Sequence, residues 1–255
     1  MSEFPSTWSG MPEEARHILR AYVADTKKNI GEDVSAIILY GSLARGDFLQ
    51  GRSNINILIV FLKLTLEVVN RCSKLNRRWA KERILAPLMF TRDELSQFAN
   101  TFPLEFLDIR EKNIVLFGQD PFPELFKGEP DLLHECKREI RGNILRVRQQ
   151  FVESDGQPEG ISALLPISLT ALFPCLRGLY RLLGESAHGT PDSILDRLSS
   201  ILRVDDHALR EVWLMKRGQS TPGKHEAPKL LERYLCALAE LAERIDTLEQ
   251  EGRFK

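Results

Sequence analysis

Residues 37–60 read IILYGSLARGDFLQGRSNINILIV, and this stretch decides the fold of the chain. The apolar run at 37–40 stops at Gly41-Ser42, which is how a buried strand passes into a tight turn and a helix N-terminus. From Asn54 onward the sequence alternates polar and apolar residues before it becomes wholly apolar, which predicts a second strand. Because strand side chains repeat every second residue, Asn54 and Asn56 are expected to point to the same face.

The turn between these two predicted strands has the chemistry of a phosphate-binding site. Backbone N–H groups at the start of a helix, together with the Ser42 hydroxyl, donate hydrogen bonds to phosphate oxygens. Arg45 adds a permanent cation that pairs well with phosphate. A serine after a glycine can equally serve as the cap of the following helix. Both roles stay open for Ser42 at this point.

The combination of Gly41-Ser42, Arg45 followed by glycine, and a strand that opens polar-apolar-polar-apolar resembles the signature of the nucleotidyltransferase superfamily that includes DNA polymerase beta. The resemblance is to the small bacterial branch, the kanamycin-nucleotidyltransferase-like and minimal nucleotidyltransferases. In that family the Gly-Ser turn binds the triphosphate of a nucleotide, and two alternating strand carboxylates hold divalent metal ions. The resemblance implies a nucleoside triphosphate as the ligand, and it places Asn54 and Asn56 where the family has aspartates.

The two asparagines change the chemistry that the family performs. Mg²⁺ in phosphoryl-type transfer is held mainly by carboxylates, and an amide carbonyl is only a neutral ligand. Losing one electrostatic contact to the reacting groups costs about 10²–10³ in rate. One hypothesis is therefore a nucleotide-binding pseudoenzyme or regulatory module in which metal-dependent transfer is impaired or absent. The alternative is an active nucleotidyltransferase that moves a nucleoside monophosphate onto a hydroxyl of a small molecule or protein.

A third carboxylate would be needed to retain Mg²⁺ in the active alternative. The resembled family takes it from a later strand, and residues 102–109, FPLEFLDI, are predicted as that strand. The apolar neighbours of Glu105 favour it over Asp108 as the counterpart of the family's catalytic and metal-binding carboxylate. The two acids would lie on opposite faces of an ideal strand. The other interpretation is that either acid simply pairs with a nearby arginine.

Composition excludes several classes of function. With 255 residues, 28% charged and 43% apolar, the chain has the make-up of a globular protein, and a net charge of -1 argues against a nucleic-acid-coating surface. The N-terminus carries acids and no apolar core, so no signal peptide is expected, and no stretch approaches the roughly 20 apolar residues of a membrane span. The scattered cysteines and isolated histidines favour buried thiols and surface roles over metal sites. A cytoplasmic location is expected.

The remainder of the chain predicts two domains. Residues 1–122 are predicted to form an α/β (α+β) nucleotidyltransferase domain with a mixed sheet, and Thr91 with Glu94 has the spacing of a capping box. After a proline-punctuated turn, residues 123–255 are predicted as an all-helical bundle, which resembles the helical domain that accompanies the kanamycin-nucleotidyltransferase-like enzymes. Within it, residues 160–185 are predicted as two helical segments interrupted by Pro166 and Pro174. A protein partner or a second copy could pair with this bundle.

Overall fold

The structure is a computed structural model that describes residues 11–123, 125 and 131–254. It divides into two compact units, Met1–Pro130 and Asp131–Lys255. The boundary predicted from sequence, after residue 122, lies a few residues before this division.

The first unit is a four-stranded sheet with helices on both faces. The sheet order is β3-β2-β1-β4; β1 runs antiparallel to both β2 and β4, whereas β2 and β3 are parallel, so the predicted mixed sheet is confirmed. In chain order its elements are α1 (Glu13–Ile30), β1 (Val34–Tyr40), α2 (Ser42–Arg45), β2 (Asn56–Phe61), α3 (Leu66–Trp79), β3 (Leu88–Thr91), α4 (Arg92–Thr101), α5 (Pro103–Glu111) and β4 (Ile114–Gly118).

The two central strands are buried on both faces, and their side chains alternate between two apolar clusters. Ile57 and Ile59 of β2 belong to the cluster that contains residues of α1 and α3. Leu58 and Val60 belong to the cluster that contains residues of α4 and α5. Because of the two-residue strand period, Asn56 shares the face of Leu58 and Val60, on the side of the sheet covered by α4 and α5.

Residues 102–109 form most of helix α5, so the strand predicted there is wrong. Pro103 occupies the first position of α5, where its missing N–H costs nothing, and the helix starts directly after α4 ends. The apolar run misleads because α5 is buried on almost every side, with buried residues at 103, 104 and 106–109. A short apolar run of this kind cannot be assigned to strand or helix from periodicity.

Helices are the regular secondary structure of the described residues of the second unit, as predicted. α6 and α7 make the most extensive contact, and α10 packs on both of them. Its elements are α6 (Leu132–Glu153), α7 (Pro158–Leu182), α8 (Pro191–Arg197), a π-helical turn (Leu198–Leu202), α9 (His207–Arg217) and α10 (Ala227–Gln250).

Helix α7 is continuous, so the predicted interruption at Pro166 and Pro174 is wrong. The Thr170 hydroxyl donates to the Pro166 carbonyl at 2.6 Å within this helix. Among the described residues α7 is the one helix long and apolar enough to cross a membrane by length and composition, although half of its most apolar window is buried inside the protein. A single helix of this kind is weak evidence for a membrane span, because the buried core helix of a globular protein meets the same criteria.

Three buried polar side chains connect α6, α7 and α10. The Ser168 hydroxyl bonds to the Asn143 carbonyl oxygen and lies 2.9 Å from the Tyr234 hydroxyl, while the Asn143 amide donates to the Ser168 backbone carbonyl at 3.0 Å. Burial raises the pKa of Tyr234 far above its ordinary value, so the phenol stays protonated. The three side chains satisfy one another in an apolar interior.

We expect Ser168→Ala to lower the free energy of unfolding by about 1–3 kcal/mol, because buried groups on Asn143 and Tyr234 lose a hydrogen-bond partner. Urea unfolding followed by circular dichroism measures the change. Ser199→Ala, at an exposed position, is the control and should stay within about 0.5 kcal/mol of wild type. Equal stability of the two variants would contradict the proposed energetic role of the network.

Candidate nucleotide-binding site

Gly41 shapes the turn between β1 and α2. Its backbone angles, φ 79° and ψ -156°, fall in a region that side chains other than glycine essentially do not adopt. Gly41 is the N-cap of α2, and Ser42 is the first helical residue rather than the cap. The capping role considered for Ser42 is therefore not the one it has. The half-exposed Ser42 sits where the first N–H groups of a helix lack intrahelical partners.

Asn56 lies directly against this turn. It pairs with Tyr40 across β1 and β2, and a Cβ atom placed on Gly41 would be only 2.5 Å from the Asn56 side-chain nitrogen. The structure thus brings the Gly41 backbone and the Asn56 amide together. Asn54 comes two residues earlier, just before β2, and both asparagine side chains are partly exposed.

The chain segment beside the asparagines carries no replacement charge. Ile55 donates its N–H to the Arg83 carbonyl at 2.9 Å and accepts from Leu85 N at 3.1 Å, which extends the parallel β2–β3 pairing back to the asparagines. The neighbouring residues, 84–91, read ILAPLMFT and contain no acid. No carboxylate from this segment therefore takes over the role of an aspartate at Asn54 or Asn56.

Arg45 ends α2 and is surrounded by two carboxylates. Its Nη1 donates to Asp108 Oδ2 at 2.8 Å, and its Nε lies 3.6 Å from Asp47 Oδ1. Both carboxylate side chains are only 9% exposed, and that of Arg45 is 22% exposed. The cation predicted to meet phosphate is therefore already shared with two acids of the same unit.

Glu105 and Asp108 have different surroundings in the structure. Glu105 is exposed in the first turn of α5, whereas Asp108 is buried three residues later and contacts Arg45. The prediction that Glu105 is the third carboxylate depended on a strand that is not there; its role as a metal ligand stays a prediction. In the sequence analysis Asp108 was the second choice for the third carboxylate, and Asp47 was not considered. Asp108 would have been favoured only if α5 had been predicted as a helix.

Tyr40 adds a neutral group beside the turn. Burial raises its pKa to about 12, so the phenol is protonated at any physiological pH. The charges next to Gly41 are therefore those of Arg45, Asp47 and Asp108, and the asparagines contribute neutral hydrogen-bonding groups. Such an arrangement can bind phosphate oxygens through N–H and O–H donors, but it gives a divalent metal little carboxylate charge at the asparagine positions.

Comparison with solved structures shows which fold the chain has. No protein-family model matches the chain, and no characterised protein matches it in sequence. Among solved structures, that of the spectinomycin adenyltransferase AAD(9) from Enterococcus faecialis, determined with ATP and spectinomycin, matches with a TM-score of 0.52 over 90% of this chain and 99% of the other. The fold is that of a nucleotidyltransferase. With 13% identity, the nucleotidyltransferase likeness is one of fold alone, and at that level the prediction from residues 37–60 is confirmed.

Proposed function

We propose that the protein binds a nucleoside triphosphate at the Gly41-Ser42 turn and that its metal-dependent transfer activity is impaired or absent. Gly41, Ser42 and Arg45 would receive the phosphates, and Asn54 and Asn56 would donate amide hydrogen bonds to them. The protein would act as a nucleotide-binding or regulatory module in the cytoplasm. The observation that carries the proposal is the Asn56 amide packed against the Gly41 backbone.

The charges around the turn support nucleotide binding that depends little on a metal ion. In a metal-dependent site, paired carboxylates attract the cation and the cation attracts the phosphates. Here two neutral amides occupy those positions, and residues 84–91 supply no acid. The permanent cation of Arg45 remains, but Asp108 holds one of its nitrogens at 2.8 Å. We therefore expect modest nucleotide affinity that Mg²⁺ hardly changes.

An active nucleotidyltransferase is the second candidate, and the structural neighbour favours it. AAD(9) was solved with ATP and spectinomycin, and the likeness spans both units of this chain. Activity here would transfer the nucleoside monophosphate of a triphosphate to a hydroxyl of a small molecule or protein. It would require a Mg²⁺ ion held by the nucleotide phosphates and a carboxylate such as Glu105.

Calorimetric titration of ATP and GTP, each with and without Mg²⁺, tests the proposal on the wild type and on Asn54→Asp/Asn56→Asp. We expect wild-type binding to be the same with and without Mg²⁺. In the double variant two restored carboxylates should create a cation site, so that Mg²⁺ strengthens binding about tenfold or more, which corresponds to about 1.4 kcal/mol.

Asn70→Asp/Asn100→Asp is the matched control, because it adds the same two charges at exposed positions of α3 and α4. It should behave like the wild type. Tight Mg²⁺-dependent binding by the wild type, or a nucleotide adduct on an aminoglycoside detected by mass spectrometry, would overturn the proposal in favour of the active enzyme. Failure of every variant to bind nucleotide would leave the helical unit, as a surface for a protein partner or a second copy, as the function to pursue.

A further inference from the structure

Arg83 has a backbone conformation that residues other than glycine rarely adopt. It ends the short 3₁₀ turn Ala80–Glu82 with φ 61° and ψ 19°, in the left-handed region. Among the described residues of the first unit it is the one residue other than glycine with a positive φ. Such a conformation costs free energy, so it persists where the surrounding contacts require it. The contacts of Arg83 therefore indicate what holds it there.

The Arg83 guanidinium binds two successive backbone carbonyls of the loop that precedes β2. Its Nε donates to the Ser53 carbonyl at 3.0 Å, and its Nη2 donates to the Arg52 carbonyl at 2.9 Å. Hydrogen bonds from a charged donor are stronger than neutral ones, and the planar guanidinium presents its N–H groups in a fixed fork. A lysine ammonium is a single point of charge and does not reproduce this two-point contact.

The Arg83 backbone binds the chain on the other side of Asn54. The Arg83 carbonyl accepts the Ile55 N–H at 2.9 Å, and Ile55 forms a parallel bridge with Ile84. Arg83 thus contacts the residue before Asn54 through its side chain and the residue after Asn54 through its carbonyl. A single residue therefore holds the backbone on both sides of Asn54.

The loop that Arg83 contacts is itself closed by Ser53. The buried Ser53 donates its N–H to the Leu49 carbonyl at 2.8 Å, and its hydroxyl accepts the Leu49 N–H at 3.0 Å. These two hydrogen bonds close the turn between residues 49 and 53. Asn54 follows directly and is partly exposed, so the orientation of its amide depends on the backbone that carries it.

We propose that Arg83 is a positioning residue for Asn54, which it holds through the Ser53 carbonyl and the Ile55 N–H. The inference rests on the proposed nucleotide site, in which the Asn54 amide donates to a phosphate oxygen. Arg83 acts through the backbone around Asn54 and not on the nucleotide. A group whose backbone is fixed beforehand loses less conformational entropy when a ligand binds, so its contact with the phosphates stabilises the complex more.

Nuclear magnetic resonance of the full chain without nucleotide tests the positioning directly. Arg83→Gly removes the guanidinium, while glycine adopts the left-handed backbone without strain, so the turn at 80–83 is retained. We expect the side-chain amide resonances of Asn54, assigned by their loss in Asn54→Ala, to shift in Arg83→Gly. We also expect hydrogen exchange at the Ile55 amide to become about tenfold faster, because the loop opens locally.

Calorimetry of ATP binding tests the consequence for the nucleotide site. We expect Arg83→Gly to weaken binding about fivefold, and Arg83→Lys, which keeps the charge but not the fork, to weaken it by a similar factor. In the Asn54→Ala background Arg83→Gly should have no further effect, because Arg83 acts through Asn54. Arg77→Ala, which removes an exposed arginine from α3, is the control for the lost charge and should bind ATP like the wild type.

Two results would overturn the proposal. One is an Asn54 amide resonance and an Ile55 exchange rate that Arg83→Gly leaves at their wild-type values. The other is an equal loss of ATP affinity from Arg83→Gly with and without the Asn54 amide, which a general loss of structure would produce. Failure of the proposed function gives a different pattern: the wild type then binds no ATP, while the resonance and the exchange rate still show whether Arg83 holds Asn54.

Discussion

Asp108→Ala is expected to lower the free energy of unfolding by about 3 kcal/mol while raising the affinity for ATP. The loss of stability follows because Arg45, largely buried, keeps its charge and loses the carboxylate that it contacts at 2.8 Å. Removing one partner of a buried ion pair typically costs about 3–5 kcal/mol, and the partial exposure of Arg45 puts the expected value at the lower end. Denaturant unfolding gives the stability change.

The ATP affinity should change in the opposite direction, because Arg45 gains freedom to meet phosphate and one negative charge leaves the neighbourhood of the turn. We expect an increase of about fivefold at low salt that diminishes as the ionic strength rises. Calorimetry at two salt concentrations measures it. Asp93→Ala, which removes an exposed acid from α4, is the control and should change neither quantity appreciably.

A double substitution separates stability from ligand binding. Arg45→Met/Asp108→Leu should recover part of the stability lost in Asp108→Ala, because apolar groups replace the Arg45–Asp108 pair while Asp47 loses its contact with Arg45. The same variant should lose ATP binding, since it lacks the Arg45 cation. If it bound ATP as well as Asp108→Ala does, Arg45 would have no part in the nucleotide site.

Gly41→Ala is the second substitution with a large expected effect. The new Cβ atom would lie 2.5 Å from the Asn56 side-chain nitrogen, and the backbone would be held in a region that costs about 1–3 kcal/mol for a residue other than glycine. We expect a total loss of about 3 kcal/mol in unfolding free energy and a displaced turn that no longer binds ATP. Denaturant unfolding and calorimetry measure the two effects.

Gly51→Ala is the control for a positive φ without steric overlap, because Gly51 has φ 72° and nothing lies within 4 Å of its added Cβ atom. It should cost about 1 kcal/mol. Gly41→Ala/Asn56→Ala should recover the part of the loss that comes from the steric overlap. Equal costs for Gly41→Ala and Gly51→Ala would show that Asn56 does not pack against the turn.

Local sequence signals predicted the parts of the fold that local interactions determine. The Gly41 turn and the two strands around it are found as predicted, and the capping box forms with both of its hydrogen bonds, one of them from Thr91 N to Glu94 Oε2 at 2.8 Å. Residues 102–109 were mispredicted because a helix buried on almost every side has no apolar periodicity to read. The interruption of α7 was mispredicted because the prediction relied on the proline penalty, whereas the helix runs through both prolines.

In the candidate site, too, the local elements could be predicted from the sequence and the long-range contacts could not. The Gly41 turn and the strand that carries Asn56 could be predicted from sequence, because both have local signals, but the contact between them was not predicted. The contact between Arg45 and Asp108 joins residues 63 positions apart, so no local pattern announces it. Whether a cation near a predicted phosphate site is available or already paired therefore depends on tertiary structure.

The strand order β3-β2-β1-β4 also has a consequence for how the chain folds. The hairpin-like pair of β1 and β2 closes over a short separation, so the Gly41 turn and Asn56 meet early. β4 pairs with β1 over a long sequence separation, because α3, β3, α4 and α5 lie between β2 and β4 in the chain. Helix α5, which carries Asp108, directly precedes β4. Because distant pairings are slow to form, we expect the Gly41 turn and its contact with Asn56 to form before Asp108 reaches Arg45.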